Sequence, residues 1–456
     1  MKNLNKYKIN GTFIKIALAI AIPLIFQQLI TSSVNLIDNL MVGQLGDASL
    51  SGVASVNRFY LIAQFGIFGI AAASSIFIAQ YYGAHKYDKS AESFRIGVLI
   101  SSFIALFFFI ITCLFPEIIL RFFTKDQAIL QIGKDYLKYA KYIFLPIPFT
   151  LMIASSMRAI GDVKTPLIAS VTAVISNTLL NYCLIFGNFN FPKMGVSGAA
   201  LATLAARLIE LILLLVLLKI NNYPFKTKII NIFNISSNLF KKVLLKALPL
   251  CGNEVLWSSG MAMIFKIYAS RGTEVMTGYS ISSTISDLFF VAFSGLAAVS
   301  TVLISQRLGA NKLDEARENG YKIIGFSLML SVFFGSLMFA SSFVIPYLYN
   351  ISDVSISVST TFLRIMSVLF WVYMANTTCY FVMSGGGDTT NTFFMDSFYM
   401  WTINIPIVAC IAYLTDYSII VLYLAGQSTD IIKLLIALRM VKKERWVKNL
   451  TVNHDE

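Results

Sequence analysis

Residues 79–93 read AQYYGAHKYDKSAES, and residues 305–319 read SQRLGANKLDEAREN. Gly83 answers Gly309 at an offset of 226. The same offset joins MRAIGD, ending at Asp162, to MSGGGD, ending at Asp388, and joins Pro23 to Pro249. Three landmarks at one spacing mark a chain whose second half repeats its first. Each copy of the longer segment is polar and lies between apolar runs of the length a bilayer requires, ~20 residues. Twelve such runs are predicted, at about 12–37, 52–80, 93–117, 132–158, 165–187, 195–219, 241–268, 277–305, 319–347, 359–385, 392–413 and 417–440.

Composition supports a membrane chain. Apolar residues make up 57% of the 456 positions, charged residues only 13%, and mean hydropathy is +0.73. Soluble domains carry roughly 25% charged residues. The first run contains Pro23 and no small-residue cleavage pattern follows it, so it reads as a span and not a signal peptide. The net charge of +13 does not indicate nucleic acid, because its distribution is banded. Basic residues gather at Lys2, Lys6 and Lys8, around Lys86 to Arg95, around Arg307 to Lys322, in the stretch holding Lys226, Lys228, Lys241 and Lys242, and at Lys442 to Lys448. The breaks at 43–51 and 187–194 are poor in charge. By the positive-inside rule both termini are cytoplasmic and the number of spans is even. An even number per half gives parallel repeats, which typically face each other across a midplane site. The chain then divides into four segments: an N-terminal six-helix lobe at 1–219, a cytoplasmic linker at 220–240, a C-terminal six-helix lobe at 241–440 and a tail at 441–456. Abundant Lys, Ile and Asn suggest an AT-rich bacterial genome.

Several function classes lose support. No phosphate-cradling G-x-x-x-x-G-K-[ST] stretch occurs, so an ion gradient and not ATP is the expected energy source. No nucleophile–histidine set lies in the spans; His85 and His454 fall in a basic loop and the tail. The five cysteines have no paired spacing and are expected to be buried thiols, neither bridged nor metal-bound. No organic cofactor is expected.

Acids inside apolar runs are costly and therefore informative. Asp38 closes the first run, with Asn35 on the same face, and no basic residue neighbours it in sequence. Its competing reading is a cap on the helix end. Asn177 and Asn181 share one face of the fifth run; amides so placed serve either as interhelical glue or as ligands. With Thr203 of the sixth run they complete a set of hard oxygen donors for a small cation such as Na⁺, and Asp38 alone is a possible proton carrier. Glu254 follows Pro249 and reads equally as a helix-start acid or a functional one. Asp287 and Asp396 lie in apolar runs, Asp396 close enough to an end to be interfacial. Arg207 and Glu210 are spaced as a neutralised helical pair. The turns GDVKTP and Asp388-Thr389-Thr390 carry capping chemistry.

The pattern P-x(14)-D-x-x-x-V-G-x-L-G from Pro23, Q-x-x-G-A-x-K at Gln80 and Gln306, and R-A-x-G-D at Arg158 resembles the multidrug and toxic compound extrusion (MATE) family across about 12–440. The resemblance implies an all-α integral membrane protein: two six-helix bundles related by a pseudo-two-fold axis, arranged as a V around a cavity opening alternately to each side. It implies antiport of Na⁺ or H⁺ against small, often cationic organic compounds, by a protein expected to be monomeric. It places the cation site on Asp38, Asn177, Asn181 and Thr203. Archaeal-type members carry a second acid where Asn181 stands, so this chain reads as a single-acid site. In the tenth run, where some members have an acid, there is none before Asp388, and Tyr373 lies near that place. Glu254 resembles a seventh-helix acid of part of the family and joins Asp287, Tyr373 and Asp396 as candidates for substrate or proton. The alternative within the same broad superfamily is a flippase of lipid-linked saccharides, which needs a basic groove; a membrane enzyme, a channel and a receptor are further rivals.

Overall fold

A bilayer offers no water to unpaired peptide groups, so a chain made of apolar runs satisfies its backbone internally as helix. The computed structural model describes residues 9–124, 126–227, 229–349 and 352–452, and the described residues contain helices and turns without a strand. Lys2, Lys6, Lys8, Lys228 and His454 lie outside them. The first nine helices are α1 Gly11–Gly43, α2 Asp47–Gly83, α3 Tyr87–Leu114, α4 Pro116–Phe123, α5 Gln127–Ala140, α6 Ile147–Ala159, α7 Lys164–Phe186, α8 Val196–Ile220 and α9 Ser237–Ala269. The remainder are α10 Thr273–Phe290, α11 Ala292–Ser300, α12 Gln306–Gly309, α13 Leu313–Ser341, α14 Asp353–Val368, α15 Phe370–Gly385, α16 Thr389–Phe393, α17 Ile405–Leu414 and α18 Ile419–Lys442.

Nine described stretches are long and apolar enough to cross a membrane, and eleven are if two bent pairs each count as one span. The bends are 45° between α5 and α6 and 56° between α14 and α15. The remaining predicted run, 241–268, lies within α9, which is 33 residues long and carries Pro249 in its interior as α1 carries Pro23. The surface agrees with lipid contact: Phe103 and Val332 are 73% and 69% exposed, far more apolar surface than water tolerates in such runs. It also revises the reading of the cysteines. None of the five is in a disulfide, but Cys113 and Cys410 are exposed, because an apolar run in a membrane protein has an outer face as well as an inner one.

The described chain divides into two compact units, one of Phe26–Tyr82 with Lys86–Ala247, the other of Met1–Ile25, Gly83–His85 and Leu248–Glu456. The division cuts α1, so these units are not the lobes of the sequence repeat. In the second unit a Cβ on Gly295 would stand 2.8 Å from that of Ala21, which is how the first half of α1 lies flat on α11. There too the backbone of Gly83 meets that of Gln306, so the two copies of the loop motif touch. In the first unit α7 and α8 pack tightly, Gly198 admitting the carbonyl of Leu184 where a Cβ would stand 2.5 Å away.

The segments after α8 and α18 are docked. In the linker, Tyr223 and Phe225 are buried; Phe225 packs on Phe94 with ring centroids 5.3 Å apart, and Ser236 donates its backbone N–H to Glu92 at 2.6 Å. In the tail, Trp446 is fully buried and its indole N–H donates to the Val441 carbonyl at 3.0 Å. Glu444 binds Arg317 at 2.7 Å and accepts from the Tyr321 hydroxyl at 3.0 Å. Gly320, at the repeat offset from Phe94, leaves room for the indole, and Gly386 leaves room for the Trp446 backbone. Gly387, at φ +85°, faces Leu450. Gly386 and Gly387 of MSGGGD therefore make the bed of the tail, while Gly385 faces Ser300 and Ser305.

Of the two turn motifs, GDVKTP behaves as read: Gly161 has φ +99° and Pro166 sits in the first turn of α7. Asp162 accepts from the backbone N–H groups of Lys164 and Thr165, both at 3.1 Å, and from the hydroxyls of Thr165 and Tyr223. Asp388 departs from expectation. It precedes α16, but its carboxylate takes the Asn391 amide at 2.8 Å and caps no backbone N–H.

Removing the buried indole with Trp446→Ala should cost roughly 3–5 kcal/mol, the range for large core aromatics, and lower the melting temperature of the detergent-solubilised protein. Burial pushes the Asp162 carboxyl up, and its hydrogen bonds more than offset that, holding it below its ordinary value. Its contribution is therefore present above the ordinary carboxylate range, about 4, and is lost as pH falls through the depressed value. The melting difference between wild type and Asp162→Asn should close as pH drops below about 4, a change read by pH-dependent thermal unfolding.

Candidate functional site

The first unit gathers the predicted oxygen donors. Asp38 lies inside α1, which runs on to Gly43, and its partner is a side chain on another helix: Asn181 of α7 donates from Nδ2 to Asp38 Oδ1 at 2.7 Å. The helix-end cap is thus set aside. Asn177, one turn earlier on the same face of α7, accepts from Asn181 at 3.3 Å and stands 3.4 Å from Thr203 Oγ1 of α8. With its amide turned over, Asn177 donates to both Asp38 oxygens, at 2.7 and 3.0 Å. The Thr203 hydroxyl donates to the Ala199 carbonyl at 3.0 Å, and the Tyr136 phenol of α5 reaches Thr203.

Asn177 and Asn181 are buried at 6% and 1% exposure, while the Asp38 carboxylate meets them from α1. Arg207, one turn beyond Thr203 on α8, attracts Asp38 electrostatically but bonds Glu210 at 2.8 Å. The spacing read from sequence as a neutralised pair is therefore an ion pair. One atom stands out. Asn181 Oδ1 is buried and has no hydrogen-bond partner, and such an acceptor is costly unless something meets it. Asn35 is exposed and takes no part.

The other unit brings together two of its four predicted residues. Glu254 stands in mid-α9, which begins at Ser237, so the helix-start reading fails. It lies in electrostatic range of Asp396. Asp396 occupies a π-helical turn, Phe394–Phe398, a wide turn of the kind that often marks functional positions. Its carboxylate binds Lys433 of α18 and takes the Asn253 amide of α9 at 3.0 Å. Asn253 is fixed in turn by Ser397, whose backbone N–H and hydroxyl donate to its Oδ1 at 3.2 and 2.7 Å. Tyr373 lies just past the α14–α15 bend, with a buried hydroxyl that has no partner. Asp287 is exposed on α10 and shares no bond or ion pair with this group.

Sequence reasoning passed over Lys433, Asp430, Asn253 and Tyr136. The repeat held a signal for one of them: Thr429 and Lys433 sit at the offset of 226 from Thr203 and Arg207.

The chain resembles known proteins along most of its length. The MatE family model matches twice, at residues 23–183 and 249–410, together more than half of the chain. A probable multidrug resistance protein NorM of Halalkalibacterium halodurans is 23% identical over 86% of each chain. The probable multidrug resistance protein YoeA of Bacillus subtilis is 21% identical over 91% of this chain and 90% of its own. Among solved structures, a Vibrio cholerae MATE transporter superposes with TM-score 0.87 at 16% identity, over 96% of this chain and 99% of that one. A transporter of the MOP superfamily from Pyrococcus furiosus does so with TM-score 0.86 at 16% identity over 99% of each. The doubled match begins at Pro23 and at Pro249, one of the three residue pairs that mark the repeat. The chain belongs to the MatE family, an all-α, multi-pass membrane protein of the multidrug and toxic compound extrusion fold, and it is a secondary transporter and not an enzyme.

Proposed function

We propose that this protein is a secondary antiporter that exports small, often cationic organic compounds in exchange for Na⁺ or H⁺ by alternating access. Its place is the bacterial cytoplasmic membrane, with both termini inside. The observation that carries the reading is the set Asp38, Asn177, Asn181 and Thr203, whose two asparagines are buried and in which the Asn181 oxygen faces no donor. A carboxylate, two amides and a hydroxyl are the hard oxygen chemistry that suits a small monovalent cation.

Amides are two-sided, and that gives the site two states. Without a cation, the N–H groups of Asn181 and Asn177 answer the charge of Asp38. With one, the amides turn their oxygens toward it and the cation neutralises the acid. Glu210 matters here because it holds Arg207, which would otherwise serve Asp38 as a permanent counter-ion. Coupling follows if ion and compound prefer different states, since a ligand bound equally by both shifts nothing. One charge crossing 100 mV contributes about 2.3 kcal/mol, enough for roughly 40- to 50-fold accumulation.

The test uses purified protein in liposomes loaded with a fluorescent cationic dye, under imposed Na⁺ or pH gradients. Wild type should move dye under at least one gradient, and Asp38→Asn should remove gradient-driven movement while leaving a monodisperse, inserted protein. Undiminished movement by that variant overturns the site. If Na⁺ at constant pH drives movement, Asn181→Ala should slow it at least about tenfold, the effect of losing ~1.4 kcal/mol of ligation. If only pH drives it, Asp38 carries the proton and Asn181→Ala should have little effect. No dye movement under any gradient favours a lipid-linked saccharide as cargo.

A further inference from the structure

Lys433 is one base placed among several acids. Its ammonium binds Asp396 from α18, with side chains 12% and 16% exposed. One turn before it on α18 stands Asp430, in electrostatic range of both Lys433 and Asp396. Among the described residues the Asp430 carboxylate has no hydrogen-bond or ion-pair partner, although its backbone carbonyl accepts from Asn376 at 2.9 Å. Close by, Asn376 is 4% exposed and its Oδ1 is buried with no partner, as is the Tyr373 hydroxyl, which Asp430 influences electrostatically. An ammonium has three N–H donors to place. One acid is thus taken by the ammonium, while Asp430 beside it is left unpaired on the same helix, with Asn376 bonded to its carbonyl.

The repeat shows why this differs from the other unit. Arg207 and Lys433 occupy equivalent positions, but Arg207 bonds Glu210 on its own helix, and the equivalent of Glu210 is Ile436. Lys433 has no acid one turn ahead, and its helix supplies one a turn behind instead. Asp38 is consequently left to neutral amides, whereas Asp396 is covered by a tethered charge. Baring a charge in the membrane is expensive, but moving a lysine from one carboxylate to another trades pair for pair.

We propose that Lys433 is a tethered cation shared between Asp396 and Asp430, and that a monovalent organic cation binds this unit at Asp396 and Asn253 by sending Lys433 to Asp430. The inference rests on the export of cationic compounds proposed above and gives that cargo an anchor. Glu254, in electrostatic range of Asp396, adds a second acid beside the incoming cation. Lys433 acts as a built-in competitor, so a cation that reaches Asp396 must displace it.

The experiment measures tetraphenylphosphonium binding to the purified full-length protein by equilibrium dialysis. Wild type is compared with Lys433→Met, Lys433→Arg, Asp396→Asn, Asp430→Asn and the double variant Asp430→Asn with Lys433→Met. Lys433→Met should tighten binding by about tenfold or more, the low end for a close charge pair, and Asp396→Asn should weaken it by at least as much. Asp430→Asn should weaken binding several-fold while Lys433 is present and have no effect once it is gone, a non-additivity that general damage does not produce. Lys433→Arg keeps the charge and should bind like wild type, which controls for folding together with the size-exclusion profile. Wild-type binding that Lys433→Met leaves unchanged or weakens, or an Asp430 effect independent of Lys433, overturns the inference alone. Absence of any cation binding or cation-dye export by wild type overturns the export reading and this inference with it.

Discussion

A charge inside a bilayer must be answered by something nearby, because water is not there to answer it. Most of this molecule's polar organisation follows from that rule. Asp38 is answered by neutral amides, Glu210 by Arg207 and Asp396 by Lys433. The first arrangement leaves the acid's charge uncancelled; the other two cancel it within the protein.

The same rule shapes the ends of the helices. Outside the spans, the loop copies at Gly83 and Gly309 and the turns at Asp162 and Asp388 are ordered by hydrogen bonds and by close backbone contact. Both the linker and the tail fold back, one on Phe94 and the other against Gly320 and Gly386. A phenylalanine and a glycine at equivalent positions do the same job from opposite sides, the one by filling space and the other by leaving it. Repeats diverge in this way when the packing is kept and the residue that supplies it changes sides.

Much of the fold could be read directly. Apolar run length requires helices, since no other open structure satisfies its backbone in lipid, and the offset of 226 announces two related halves. Asp38, Asn177, Asn181 and Thr203 could be named because an acid in an apolar run is conspicuous and amides four residues apart share a face. Asp396 and Glu254 are visible for the same reason, but not their roles: Glu254, following Pro249, reads equally as a helix-start acid or a functional one, and α9 runs on through both residues. Asp430 and Lys433 draw no reading, because opposite charges one turn apart carry no sign of a third partner. The structure shows the lysine turned instead to Asp396, far from it in sequence.

The sequence by itself determined the solvent, the helical class, the repeat and most of the membrane acids, since each depends only on composition, period and spacing along one chain. Tertiary structure alone decided that Lys433 serves Asp396, where α1 is divided between the two compact units, and why Gly386 and Gly387 stand in MSGGGD. Those are matters of side chains from distant segments meeting at contact distance. Charge pairing falls off with distance in space and not along the chain, and a glycine's room is defined by the neighbour that occupies it. Neither quantity exists until the helices are packed.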